Sequence, residues 1–271
     1  MTAWTLDDIP WGLFDLEKVD REYLPIIKAA SVLERNGARY AEYLCSVFHD
    51  DRAFCEAAAH WAVEEIQHGN ALGRWAMLAD PGFDHSAACT RFAQGFPIET
   101  HATASVRGSR AGELVARCIV ETATSSYYTA VADASDEPVL RTICRHIAAD
   151  EFRHYKLFYS HLRRYLGSEA MGRWRRLKVA LDRIAESEDD ELAFAYYAAN
   201  GGDQPYEHAR FSAAYARRAY GVYRPHHIMR GTAMIFKAAG LSPQGWLNPW
   251  VARVAWWGMH RRVERLRKEA A

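Results

Sequence analysis

The chain has 271 residues, 49% hydrophobic and 25% charged, which suits one large soluble domain or two small ones. Its formal charge is zero, so there is no global electrostatic case for binding nucleic acid. No stretch approaches the ~20 uncharged apolar residues that a bilayer span needs.

The first residues, Met1-Thr2-Ala3-Trp4-Thr5-Leu6-Asp7-Asp8, lack a basic segment followed by an apolar run, so no signal peptide is expected. The apolar spacing then predicts a first long helix over about 16–48, with a break near Leu24-Pro25, and a second over about 52–78. A loop-rich crossover follows over 80–109, carrying Pro81-Gly82 and Gly95-Phe96-Pro97. A third helix is expected over about 111–132 and a fourth over about 138–166. Beyond Gly167 lie further helices near 171–186, 206–220, 227–239 and 247–268. The expected fold is all-α: a ferritin-like four-helix bundle with a long crossover between helices two and three, plus additional C-terminal helices. It reads as one domain over 1–271, with the bundle over about 16–166 and an extension over about 167–271. The extra helices suggest a cover, a substrate pocket or a dimer surface, and plain packing explains any one of them equally well.

Two Glu-x-x-His elements, Glu65-Ile66-Gln67-His68 and Glu151-Phe152-Arg153-His154, stand on the second and fourth helices. One such pair carries little information, but residues i and i+3 share a helix face. Each pair is preceded by a lone Glu at nearly the same interval: Glu34 lies 31 residues before Glu65, and Glu121 lies 30 before Glu151. The midpoints fall at His49-Asp50-Asp51 and Ser135-Asp136-Glu137-Pro138, both turn signals. Antiparallel hairpins turning there bring all six groups to one height. Four carboxylates and two imidazoles in this order are the ligand set of a two-iron site in a four-helix bundle. Two Fe(II) ions would offset four carboxylates that otherwise repel one another. Glu42 is the rival to Glu34 on the first helix, but it breaks the matched spacing. The alternative for all six is a set of surface residues on solvated helices.

The five cysteines, Cys45, Cys55, Cys89, Cys118 and Cys144, are scattered and read as reduced thiols of a cytoplasmic protein. No Cys-x-x-Cys is present, so electrons for any redox chemistry are expected from an external donor, a ferredoxin or a reductase.

Trp61-Ala62-Val63-Glu64-Glu65-Ile66-Gln67-His68-Gly69 resembles the Trp-x-x-Glu-Glu-x-x-His-Gly block of the soluble acyl-acyl-carrier-protein desaturases. Ala149-Asp150-Glu151-Phe152-Arg153-His154 resembles their second block, and Glu121-Thr122-Ala123-Thr124 is similar to their Glu-x-Ala-Thr. A fainter likeness lies at Pro225-His226-His227-Ile228-Met229. The resemblance implies Glu65 and Glu151 as bridging carboxylates, Glu34 and Glu121 each serving one iron, and His68 and His154 each ligating one. It implies Asp150 as the acceptor that orients one ligand histidine, and near-symmetry suggests Glu64 for the other. Thr124 would sit beside the oxygen-binding face and relay a proton; a hydroxyl bonded back to its own helix is the alternative. Trp61 would lie on the ligand side, on an electron route or simply in the core.

The implied activity is O2-dependent oxidation of an unactivated C–H bond by two iron ions, most simply desaturation of an alkyl or acyl chain, with O2 as co-substrate. A hydroxylase or N-oxygenase on another small molecule keeps the same ligands, with Ser125 as an alternative hydroxyl. An iron-storage protein is a further alternative. A ribonucleotide-reductase radical subunit would want tyrosine at Leu72. An acyl tunnel would draw on Phe152, Tyr127, Tyr128 and Tyr155, although aromatics at helical spacing are more often core. An acyl carrier protein, being acidic, would dock on Arg163, Arg164, Arg173, Arg175, Arg176 and Lys178, or on Arg261, Arg262, Arg265, Arg267 and Lys268, unless these are only solvated faces. A homodimer is expected.

Overall fold

A computed structural model describes residues 4–186 and 190–270. Those residues form α-helices and short 3-10 turns, with no strand among them. The first expected helix is divided in two, α1 (Leu24–Arg35) and α2 (Gly37–Val47). Leu24-Pro25 marks its start, because proline fits the first turn, where its missing N–H costs nothing. The break falls instead at Asn36, whose N–H bonds the Leu33 carbonyl three residues back. Helix α3 (Arg52–Ala79) follows a turn at 49–51, capped by the Asp51 carboxylate on the Phe54 N–H. Helices α5 (Arg110–Ala134) and α6 (Pro138–Ser168) form the second hairpin. Ser109 caps α5, and Glu137 caps α6 by accepting from the Val139 and Leu140 N–H groups. Both turns fall where the sequence midpoints place them.

The crossover carries a helix that the turn signals concealed, α4 (His85–Gly95), capped by Asp84. Beyond the bundle come α7 (Arg173–Glu186), α8 (Leu192–Asn200), α9 (His208–Ala219), α10 (Pro225–Ala239) and α11 (Leu247–Glu269). Helix α8 was not anticipated. Its sequence, Leu-Ala-Phe-Ala-Tyr-Tyr-Ala-Ala-Asn, is apolar nearly all round and has no polar face to mark a period. It packs against α1, α4 and α9.

Apolar packing lies in two zones. One gathers Ile26, Ile27 and Val32 of α1, Leu72 and Trp75 of α3, Tyr128 and Val131 of α5, and Ile143 and Ile147 of α6. The other gathers Leu44 of α2, Phe54 and Trp61 of α3, Leu114 and Val115 of α5, and Phe158 and Leu162 of α6. Along each strut of the bundle the sequence passes from one zone to the other across the candidate ligands. The Glu and His side chains therefore occupy a polar layer sandwiched between two apolar ones. Two glycines close this layer. A Cβ on Gly37 would come within 2.5 Å of the Glu65 Cβ, and one on Gly69 within 2.5 Å of the Arg35 backbone nitrogen. The break at Asn36-Gly37, just after Glu34, is thus a point of close approach between α1–α2 and α3.

Candidate metal centre

Glu34 projects from α1, Glu65 and His68 from α3, Glu121 from α5, and Glu151 and His154 from α6. None is more than 7% exposed, which excludes the solvated-surface alternative for these six. Their donor atoms fall into two groups, Glu34–Glu65–His68–Glu151 and Glu65–Glu121–Glu151–His154, each with its atoms within 4.8 Å of one another. Glu65 and Glu151 belong to both. Glu42, the rival on the first helix, is exposed to solvent.

Each histidine turns Nδ1 inward. His68 Nδ1 lies 3.1 Å from Glu151 Oε1 and 4.0 Å from Glu34 Oε2. His154 Nδ1 lies 3.0 Å from Glu65 Oε1 and 3.5 Å from Glu121 Oε2. The opposite ring nitrogens are held from behind: His68 Nε2 is 3.1 Å from Asp150 Oδ2, and His154 Nε2 is 2.6 Å from Glu64 Oε2. A ring whose Nε2–H donates to a carboxylate keeps a lone pair on Nδ1 for a metal. Arg153 ties the two outer acids together, at 2.5 Å from Asp150 Oδ1 and 3.2 Å from Glu64 Oε1. Asp150→Asn keeps the shape but weakens this acceptor, so it should lower the affinity for a divalent metal about 10–100-fold; competition with a metal chelator measures it.

Three further partners were not legible from the motifs. The Trp4 indole N–H donates to Asp150 Oδ2 at 2.7 Å, and its ring stacks on His68 at 6.0 Å. The Tyr128 hydroxyl donates to Glu34 Oε1 at 2.5 Å, and Arg117 donates to Glu121 Oε1 at 3.0 Å. Tyr128 and Arg117 do equivalent jobs: each holds Oε1 of one lone Glu and leaves Oε2 toward a histidine. Arg117 sits one turn before Glu121, an i,i+4 pair that the spacing alone offered. Tyr128 and Trp4 reach the site only through packing. Arg117 also lies over the Trp61 ring at 5.0 Å, and Trp61 meets His154 edge-on with centroids 6.5 Å apart.

Thr124 bonds back to its own helix and also reaches a candidate ligand. Its hydroxyl lies 3.2 Å from the Val120 carbonyl of its own helix and 2.5 Å from Glu151 Oε2. Ser125 is turned away and donates to the Ala148 carbonyl. Leu72 is fully buried among apolar side chains. Of the aromatics expected to line a tunnel, Tyr127 and Tyr128 pack in one apolar zone, and Tyr155 and Phe152 in the other.

The protonation pattern follows from crowding. Burial pushes Glu34 well above the usual carboxylate range, and repulsion from Glu65 and Glu151 adds to it. Burial likewise pushes Glu121 up to about 7, against the pull of His154 and Arg117. Burial would raise Glu151 too, but contact with both histidines holds it well below the ordinary value. For His68, burial is outweighed by Asp150, Glu151 and Glu65, and the ring is held up to about 9. Without a cation the cluster gathers protons to offset its own charge. The buried Glu65 Oε1, His68 Nδ1, Glu151 Oε1 and His154 Nδ1 make no well-aligned hydrogen bond and meet only one another, His68 Nδ1 against Glu151 and His154 Nδ1 against Glu65. Buried polar atoms rarely lack partners, and these four, turned to a common centre, are the donor set that two divalent cations would satisfy.

A protein-family model described as fatty acid desaturase matches residues 38–185. The chain belongs to this fatty acid desaturase family. The match takes in Glu65, His68, Glu121, Glu151 and His154, and begins four residues after Glu34. No individual curated protein matches the chain. Among the described residues of this desaturase-family chain, no helix is long and apolar enough to cross a membrane.

The third cluster of metal-ligating types, Asp133–His226–His227, sits at the fainter motif on α10. His227 Nδ1 accepts the Arg224 N–H at 3.0 Å, so its proton is on Nε2, which donates to Asp133 at 3.0 Å. That ring has no lone pair left for a cation. It works as a latch between the start of α10 and the end of α5.

Proposed function

We propose that this protein is an O2-dependent di-iron oxidase that removes hydrogen from the alkyl part of a fatty acyl substrate. The observation that carries the reading is the pair of four-residue groups sharing Glu65 and Glu151, inside a chain of the fatty acid desaturase family. Glu34 and His68 would hold one iron, Glu121 and His154 the other, and Glu65 and Glu151 both. Once bound, the iron pair supplies the redox chemistry that couples four-electron reduction of dioxygen to oxidation of an unactivated C–H bond.

The chain's own residues set the conditions. Asp150 and Glu64 fix the histidine rings, so that Nδ1 rather than Nε2 faces inward. Tyr128 and Arg117 each pin one oxygen of Glu34 and Glu121, which limits how far these carboxylates swing. Thr124 holds a proton at Oγ1 beside Glu151 Oε2, where the reduction of dioxygen needs protons delivered. The apolar zones above and below the layer keep bulk water out. Desaturation takes two electrons from the substrate and needs two more, which an external donor provides.

The choice between removing a second hydrogen and adding oxygen rests on where the acyl chain lies relative to the metal pair, and the family of the chain is what supports desaturation. Thr124 faces the bridging carboxylate, whereas Ser125 is spent on a backbone carbonyl. Aerobic incubation of iron-loaded protein with reductant and acyl substrates, free or on carrier protein, followed by mass spectrometry, tests the reading. Loss of about two mass units is the expected result; a gain of about sixteen assigns hydroxylation instead. Iron-loaded protein that consumes dioxygen yet leaves every acyl chain unchanged contradicts it.

A further inference from the structure

Helix α11 packs on α9, α10 and the 3-10 turn Tyr220–Val222 through one side only. That side carries Asn248, Ala252 and Val263, all buried, and Thr232 of α10 anchors it by donating to Asn248 Oδ1 at 2.6 Å. The opposite side carries a line of large apolar residues in water. Trp246 is 79% exposed, Trp250 61%, Val254 50% and Trp257 51%. Their spacing of four, four and three places them on one helical face. Soluble proteins scatter exposed apolar residues singly, and a contiguous stripe of them marks an interaction surface.

The same face is basic. Arg253, Arg261, Arg265 and Lys268 are exposed along it, and the Arg261 guanidinium lies over the Trp257 ring at 3.9 Å. Glu264 and Glu269 interrupt it, facing Arg267 and Arg265. Tryptophan rings settle at a water–lipid boundary, with an apolar body below and a polar edge above. Arginines beside them draw the helix to anionic headgroups. We infer that α11 lies flat on an anionic phospholipid bilayer, with Trp246, Trp250, Val254 and Trp257 entering the headgroup–acyl boundary and Arg253, Arg261 and Arg265 contacting phosphates. This is adsorption and not spanning. The other natural occupant, a second copy meeting the same face by two-fold symmetry, would set the arginine-rich face against its own copy. An anionic bilayer neutralises that charge.

The test is vesicle co-sedimentation of the full chain, with phosphatidylcholine vesicles containing 30% phosphatidylglycerol against phosphatidylcholine alone. Binding is expected to the anionic vesicles only and to weaken as salt rises. Arg261→Gln with Arg265→Gln should weaken it about 30-fold, and Trp250→Ala with Trp257→Ala should abolish it. All four positions are exposed, and helical circular dichroism should be unchanged in both double variants. No binding to anionic vesicles above the neutral background overturns the inference. So does binding that survives both double variants. A chain that sediments as a dimer in solution, and becomes a monomer in the tryptophan double variant, assigns the face to a second copy and overturns it too. Capture of an acidic carrier protein by this face, without vesicle binding, does the same.

Discussion

Glu65→Ala and His154→Ala are each expected to strip most of the bound iron while leaving the helices in place. Glu65 is in both ligand groups, so its loss removes a donor from each iron at once. His154 brings the ring nitrogen of one group, and its Nδ1 is one of the buried atoms that makes no well-aligned hydrogen bond. Loss of such ligands should lower affinity by more than the 10–100-fold typical of the residues behind them. The fold should tolerate both changes because the apolar zones do not depend on the polar layer. In the metal-free state Glu65→Ala relieves repulsion on Glu34 and Glu121 but also removes a carboxylate that favours the protonated rings of His68 and His154, so the two effects oppose each other. Iron analysis after desalting and far-ultraviolet circular dichroism read the two halves. Full iron retention in both variants contradicts the site.

The metal-free protein should lose stability as pH rises from about 5 to 9. His68 is held up to about 9 when folded, so its contribution is complete below the ordinary histidine value and is lost as pH climbs toward 9. Glu121 is raised to about 7: the unfolded chain releases that proton near the ordinary carboxylate value while the folded chain retains it, so this group also costs stability as pH rises. Glu34 acts in the same sense, with burial as the main cause. Glu151, held low, acts only at acidic pH, where its stabilisation disappears as it takes up a proton. The metal-free melting temperature should fall by at least about 3 °C between pH 6 and pH 8.5. Ferrous or cobalt ions bind to the deprotonated groups, so the rise in melting temperature on metal addition should be larger at pH 8.5 than at pH 6. A flat or rising metal-free profile would show that the cluster does not carry these protons.

Much of this arrangement was legible because helices impose a ruler. The i,i+3 spacing of each Glu-x-x-His and the matched intervals to Glu34 and Glu121 located the polar layer, and Asp51 and Glu137 marked both turns. The carboxylate behind one ring, Asp150, came from the likeness to the desaturase blocks, and Glu64 behind the other from the near-symmetry of the two hairpins. What spacing cannot encode is contact between elements far apart in sequence. Trp4 reaches Asp150 across 146 positions, and Tyr128 reaches Glu34 across 94. The break at Asn36 had a local signal in the Asn36-Gly37 dipeptide, but the close approach of Gly37 to Glu65 that accompanies it is a tertiary fact. Helix α4 hides between turn signals, and α8 lacks a polar face to set its period.

The most direct measurement is a titration of the metal-free protein with ferrous iron under argon, followed by admission of air and ultraviolet-visible and Mössbauer spectroscopy. The expected end point is two irons per chain and, after oxidation, a coupled ferric pair with oxygen- and nitrogen-donor ligation. An end point at one iron, or two irons that stay magnetically independent, would contradict a centre built on shared Glu65 and Glu151.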